Sequence, residues 1–408
     1  MLAGFYDARH HWARLKLKGM IFIIRIFILI IMKKLIPVLL IIIVCFISYF
    51  NIFDNEFVWD DHVFILDNSD IRSFANVPLF FTSDFEGLYR PLRSVHYTLV
   101  YAIAGKNEFF YHFNSLFFHS LISILVYFII LEIVKRKNVS LLAALIFAAH
   151  PIHTGRVTNI TAGFDLLGVF LMLFSFYLYV KFSKNKKYFF GSLVLFVLAL
   201  LASEEAIVLP LIIVLYEFVF NKGKFNLKNI FTKKIFNYGF FWFFIIAVLF
   251  VALRFLVLGI SGRQEQYLAG NLFLTFLTML KVYVYYIYLL IFPVNLSLYH
   301  DVIPATGIDL KIIFSFLFLL ILFIVVIKYH KNKILFFSVF WFFITLLPFS
   351  NFIPIQNFIA ERYLYLPSVG FALLVSYGLI LLYNLKIKNI RYSNLLKKII
   401  IVIAVLIF

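Results

Sequence analysis

Residues 32–50 read MKKLIPVLLIIIVCFISYF, two lysines followed by an apolar run without a charge. A run of about 18 to 22 apolar residues is what it takes to cross a hydrocarbon core roughly 30 Å thick. Inside lipid the backbone must satisfy its own hydrogen bonds, as a helix does within one segment. The run is continuous, with no alternation of apolar and polar residues, so a helix is expected and a barrel strand is not. The same pattern recurs down the chain. Of 408 residues, 64% are hydrophobic and 14% charged, far outside the usage of an ordinary soluble domain. The expected fold is therefore an all-α polytopic membrane protein with about eleven transmembrane helices. The single cysteine, Cys45, lies inside the first run and excludes a disulfide framework.

The expected spans are 35–52, 112–133, 139–150, 164–181, 188–202, 204–220, 239–260, 311–328, 334–348, 366–384 and 397–408. Lys33 and Lys34, Lys135 to Lys137, KFSKNKK at 181–187, NKGKFNLKNIFTKK at 221–234, KYHKNK at 328–333 and KIKNIR at 386–391 flank them in short loops. The positive-inside rule puts these loops in the cytoplasm. It also accounts for the net charge of +18 without a nucleic-acid partner. Segment 272–292 breaks the parity. Its flanks SGRQEQ and YHDVIPATGID both belong outside, so it is expected to be a re-entrant or interfacial element, with an ordinary span as the alternative. Residues 1–31 are a doubtful N-terminal extension, with translation expected to begin at Met32 or Met20. Residues 32–408 form one membrane domain. No internal repeat of 20–50 residues occurs in it, and anything following the last run would emerge outside.

Charge is concentrated on one side. The first outer loop, 53–111, holds nine of the nineteen acids against four bases. Within it, FVWDDHVFILDN sets Asp60 beside Asp61 just after the first span, and adjacent carboxylates there could activate an acceptor hydroxyl. YRPLR supplies Arg90 and Arg93. HPIHTGRVTNITAGFD supplies His150, His153, Arg156 and Asp165. ASEEA supplies Glu204 and Glu205, and NFIAERYLYLP supplies Glu361, Arg362, Tyr363 and Tyr365. Singly, each has a bland role as a helix cap, ion pair or interface anchor. Together, so many ionisable groups near one membrane face are costly and point to a site. Arg362 or Arg90 could grip phosphate oxygens in bidentate fashion. The absence of a Gly-rich phosphate loop disfavours a nucleotide-linked donor. No cofactor is called for. His150, His153 and a carboxylate are conceivable ligands of a divalent metal by type, but their spacing is no metal signature.

FVWDDHVFILDN, YRPLRSVHYTLVYAIAG with YHFNSLFFH, AALIFAAHPIHTGRVTNITAGFDLL, ASEEAIVLPLIIVLYEF, LIFPVNLSLYHD and LPFSNFIPIQNFIAERYLYLPSVGF occur in that order. Over about residues 33–385 they resemble the membrane domain of the transmembrane-and-tetratricopeptide-repeat O-mannosyltransferases and their bacterial relatives, of the GT-C class of glycosyltransferases. The resemblance implies a GT-C-like helix bundle and transfer of a hexose, usually mannose, from a polyprenyl-phosphate donor. It further implies a protein or glycan acceptor outside the cytoplasm, a multi-pass position in the cell membrane, and Asp60 or Asp61 as the catalytic carboxylate. Arg90, His150, His153, Asp165, Glu204, Glu205, Glu361, Arg362, Tyr363 and Tyr365 would then bind substrate. Three positions depart from the family: Gly155 stands where it has Glu, Gly163 where it has Arg, and Glu204 where it has Lys. The alternatives are a carrier of lipid-linked saccharide, which should show inverted repeats, and an inactive scaffold.

Overall fold

The structure, a computed structural model, describes residues 35–182, 187–221, 239–258, 266–267, 269–355 and 357–384. Every regular element among them is helical: α1 (Leu35–Asp54), α2 (Val77–Thr82), α3 (Pro91–Ala104), α4 (Glu108–Val134), α5 (Lys137–Ala149), α6 (Thr154–Val157), α7 (Ile160–Phe164), α8 (Leu166–Phe182), α9 (Lys187–Ala202), α10 (Leu209–Phe220), α11 (Gly239–Leu258), α12 (Leu272–Ile291), α13 (Leu310–Lys328), α14 (Lys333–Leu346) and α15 (Pro367–Asn384). Local signals fix many of the boundaries. The Asn107 side chain caps α4, Asn271 caps α12, Asp309 caps α13 and Asn332 caps α14, each accepting from a backbone N–H of the first turn. Lys135 closes α4 in the left-handed region at φ 60° and turns the chain directly into α5.

Seven helices among the described residues are long and apolar enough to cross a membrane: α1, α4, α7 with α8 as Ile160–Phe182, α11, α12, α13 and α15. Three shorter apolar helices accompany them, Lys137–Ala149, Lys187–Ala202 and Lys333–Phe349. The count of eleven is thus not confirmed, and 397–408 lies outside the described residues, as does the extension 1–31. The shortfall has a physical cause. At 1.5 Å per residue, α5 is only about 20 Å long, because the chain breaks at His150 into polar turns. Likewise 204–220 opens with a 3₁₀ turn, Glu204–Val208, before α10 begins. The re-entrant reading of 272–292 is not confirmed either. α12 is one unbroken helix of 20 residues, of a length and composition that suit a crossing.

Helices α4, α5, α8, α9, α10, α11, α14 and α15 enclose the main apolar core, around Phe147, Phe176, Phe196, Phe243 and Trp341. A second core joins α12 and α14 to the 358–364 turn through Tyr286, Leu290, Leu346 and Leu364. Outward faces carry large exposed apolar side chains such as Ile47, Val248, Leu256, Phe314 and Ile321, as lipid-facing surfaces should. The first outer loop is not a solvated strand of chain. It folds on a third core of Phe57, Phe64, Ile65, Ile71, Tyr97, Tyr111, Ile160 and Phe164, and contains α3.

Candidate functional site

The turns at one end of the bundle converge. Helix α7 runs into α8 through Asp165, whose own N–H reaches back to Ala162 O, so the carboxylate stands at a break in the span. At Gly168 the backbone comes so close to Ser203 that a Cβ would lie 2.6 Å from the serine Cβ. That approach sets the Glu204–Val208 turn beside Asp165. Pro91 at the start of α3 lets the helix begin directly after Arg90.

Four arginines and three carboxylates meet there. Arg90 donates from Nη1 to Asp165 Oδ1 at 2.8 Å and from Nε to Glu204 Oε2 at 2.5 Å. Arg93 Nη1 reaches the same Asp165 oxygen at 3.0 Å, and Arg156 Nη1 lies 3.9 Å from the other. Arg156 Nη2 donates to Glu205 Oε1 at 2.7 Å, and Arg254 Nη2 lies 3.6 Å from Glu204. Arg93, Arg156, Asp165 and Glu205 are buried. Burial works against the charge of Arg90, but Asp165 and Glu204 hold its guanidinium firmly protonated. With every member ionised, the cluster carries one surplus positive charge, which suits an anionic ligand at its edge.

The predicted acid pair separates into two roles. Asp61 is fully buried. Its Oδ1 accepts from the Thr161 N–H at 2.9 Å and the Thr161 hydroxyl at 2.6 Å, and its Oδ2 accepts from the Val58 N–H at 3.0 Å. Those bonds fasten the first outer loop to the start of α7, the helix that ends at Asp165. Asp60, one residue earlier, is exposed. It follows Trp59, which sits in the left-handed region at φ 48° with its ring largely in the open. A bulky residue there is uncommon and marks a turn held by its surroundings, here by the Val58–Asp61 bond.

The histidines lie one layer further in. His150 Nε2 donates to Leu290 O at 3.0 Å, and its Nδ1 accepts from the Ile152 N–H at 3.2 Å. His153 Nε2 donates to Ser368 Oγ at 2.8 Å. His119, on α4, accepts from the Tyr365 hydroxyl at 2.7 Å and donates to Ala148 O at 3.0 Å. Burial pushes His150 down to about 4 and His153 well below its ordinary range. These rings join helices as neutral hydrogen-bonding groups. Among the described residues no three His, Cys, Asp or Glu side chains are arranged to hold a metal ion.

Glu361 turns away from Arg362. It accepts from the Ser297 N–H at 2.5 Å and pairs with His300 Nε2 at 2.8 Å, while burial raises its carboxyl above the usual range. Arg362 is half-buried, lies over the Tyr363 ring at 5.3 Å, and makes no ion pair among the described residues. The Glu361–Leu364 turn packs on 151–157, so Tyr363 and Tyr365 border the Arg156–Glu205 pair. Nearly all the sequence-predicted residues therefore fall in one region. Arg93 and Arg156, noted in the sequence without a role, lie among them, and Arg254, His119 and His300 join them. Arg254 is the one with the clearest overlooked signal, a single cation within the apolar run 239–258.

The described residues thus form a bundle of membrane-spanning length with ionisable groups gathered at one end. The family profile of dolichyl-phosphate-mannose-protein mannosyltransferase matches residues 91–252, a stretch containing Arg93, Arg156, Asp165, Glu204 and Glu205. Protein O-mannosyl-transferase F38B6.6 of Caenorhabditis elegans is 26% identical over 355 residues, covering 80% of this chain and 49% of that protein. Protein O-mannosyl-transferase TMTC3 of Homo sapiens is 25% identical over 392 residues, 81% of this chain and 41% of that protein. Human protein O-mannosyl-transferase TMTC1 is 33% identical over 147 residues, 33% of this chain and 16% of its own length. Over about four fifths of its length the chain is thus similar to proteins named protein O-mannosyl-transferases. It spans about half the length, or less, of the curated relatives it matches.

Proposed function

We propose that this protein is a glycosyltransferase that moves a hexose, mannose by likeness to its relatives, from a polyprenyl-phosphate donor to a hydroxyl of a protein or glycan acceptor, on the extracytoplasmic face of the cell membrane. The observation that carries the reading is the exposed Asp60 held next to a buried Asp61 that fastens its loop to α7, the helix leading into Asp165. Asp60 accepts the proton of the acceptor hydroxyl as its oxygen attacks the sugar C1. The C1–O bond to phosphate breaks, and polyprenyl phosphate leaves with the electron pair. Arg362 takes the developing phosphate charge, because its guanidinium is not committed to a carboxylate among the described residues. Arg90, engaged by Asp165 and Glu204, orients the cluster and lends it net positive field. The same engagement of Arg90 favours a second reading, an inactive scaffold that keeps the fold of a transferase.

The test uses the full chain in mild detergent with radiolabelled polyprenyl-phosphate mannose and a panel of other polyprenyl-phosphate hexoses. Release of polyprenyl phosphate is followed together with label in acceptor protein. Turnover lost at least about 100-fold in Asp60→Asn, with donor binding retained, is the expected result. Donor binding without turnover in wild type would select the scaffold. Binding of none of these lipids would remove the lipid-donor reading.

A further inference from the structure

At the end of the bundle opposite the carboxylates lies a pocket of about 730 Å³, lined by Arg136, Lys328, Lys331 and Lys333 together with Tyr329, Tyr377 and apolar side chains. Its position follows from helix direction. Helices α5 and α10 run from it to the turns that carry His150 and Glu205, or back from them, and α15 runs down to Tyr377 from the Tyr365 turn. No acidic residue lines the pocket, and none of its four cations makes an ion pair among the described residues. They lean on rings instead: Arg136 over Tyr377 at 5.8 Å, Lys328 over Tyr329 at 6.0 Å, and Lys333 over Phe220 at 5.8 Å. The neighbouring Glu132 is taken by Lys135 and Lys181.

Two helix N-termini also open here, those of α5 after Arg136 and of α14 after Asn332. Three C-termini, of α4, α10 and α13, oppose them. With about half an elementary charge per terminus, the pocket keeps a surplus of about three and a half positive charges. Loop cations placed by the positive-inside rule need only face water. These four converge on a concave site whose other wall is apolar, Ile133, Val134, Phe220 and Ile334. Lys328 of the lining ends α13, and the face of that helix one and two turns before it carries exposed Ile321, Ile324 and Val325.

We propose that this pocket binds the head group of an anionic phospholipid, phosphate among the four cations and acyl chains against α13. A basic pocket between helices at a membrane interface is the recognised form of such a site, and the volume falls in the range of ligand pockets. The apolar continuation favours a lipid over free phosphate.

The experiment measures thermal melting of the full chain in detergent with added phosphatidylglycerol, with phosphatidylcholine, or with inorganic phosphate. Lipid retained after purification is measured alongside by native mass spectrometry. Phosphatidylglycerol alone should raise the melting midpoint and stay bound. The variant Arg136→Gln/Lys328→Gln/Lys333→Gln should retain at least tenfold less of it, while Arg72→Gln/Lys106→Gln, at the other end, should behave as wild type. The triple variant's own melting without lipid reports whether it folds. If it fails to fold, each single Gln substitution is measured, and each should weaken retention. Equal stabilisation by phosphatidylcholine, an equal effect of inorganic phosphate, or retention unchanged in folded variants would each overturn the proposal.

Discussion

Asp60 and Asp61 are identical in chemistry and adjacent in sequence, and only their surroundings divide them. Three donors converge on Asp61, and none of the hydrogen bonds that tie down its neighbour reaches Asp60. The two Asn variants should therefore separate. Asp61→Asn keeps one acceptor for Thr161 but turns an NH₂ toward the Val58 N–H, leaving a buried donor without an acceptor. That costs about 1–3 kcal/mol and should lower the melting midpoint. Asp60→Asn should leave melting within error while turnover collapses. Equal loss of stability in both would show that the pair is only structural. The same reasoning separates the arginines. Arg362→Gln should raise the donor KM at least tenfold with a smaller effect on kcat. Arg362→Lys should recover part of the loss, since a lysine keeps the charge but not the planar fork. Arg90→Gln should instead strip Asp165 and Glu204 of a partner and destabilise the fold. A donor KM unmoved by Arg362→Gln would remove that residue from the phosphate site.

Elements reach the site by close approach, and the closest is α7 against α4. A Cβ at Gly163 would stand 2.0 Å from Ser115 Oγ and 2.8 Å from its Cβ. The arginine that the family places here has no room, and Arg93 and Arg90 hold Asp165 from the other side. At Gly155, by contrast, a Cβ would meet only Leu298 Cδ2 at 3.6 Å, an ordinary contact. Gly163→Ala should cost about 1–3 kcal/mol by overpacking, read as a lower melting midpoint. It should also reduce turnover, because Asp165 rides on the same turn. Ser115→Gly in the same chain should restore part of both, whereas Gly155→Ala should be near neutral. If Gly163→Ala melted like wild type, the helices would not be held at this separation. Sequence patterning found most long spans within a few residues, since apolar runs leave few other readings in lipid. It missed α3. The buried side of that helix mixes Arg93, His96 and Thr98 with Tyr97 and Val100, so polar residues interrupt its apolar stripe, and the partners that make their burial tolerable come from elsewhere in the chain. The same limit hid the split of the acid pair, since Thr161 lies 100 residues away from Asp61.

At the scale of the whole molecule, neutral histidines tie together elements far apart in the chain. His96 joins α3 to α4 through Asn114 Oδ1 at 2.9 Å. His150 ties the end of α5 to the end of α12, and His153 ties the turn after it to Ser368 on α15. Burial holds His96 and His150 down at about 4, and burial with neighbouring imidazoles holds His153 well below its ordinary range. An unfolded histidine titrates near 6.5, so below that pH the unfolded chain takes up protons that the folded one refuses. Stability is therefore fully present above about pH 7 and is lost as pH falls toward 4, by up to roughly 1.4 kcal/mol per pH unit for each group. Glu361 works the other way. Its raised carboxyl binds a proton in the folded state before it does in the unfolded one, which adds stability on acidification. Glu205, also raised by burial, acts as Glu361 does. Acidification also removes the charges by which Asp165 and Glu204 hold their arginines, and that loss adds to that of the three imidazoles, so the net slope is a loss. The melting midpoint in detergent should hold steady between about pH 8 and 7 and then fall progressively to pH 5. His150→Gln, which can still donate to Leu290 O, should start lower but decline less steeply. A midpoint flat to pH 5, or a slope identical in that variant, would mean that these rings titrate freely and do not join the two halves of the bundle.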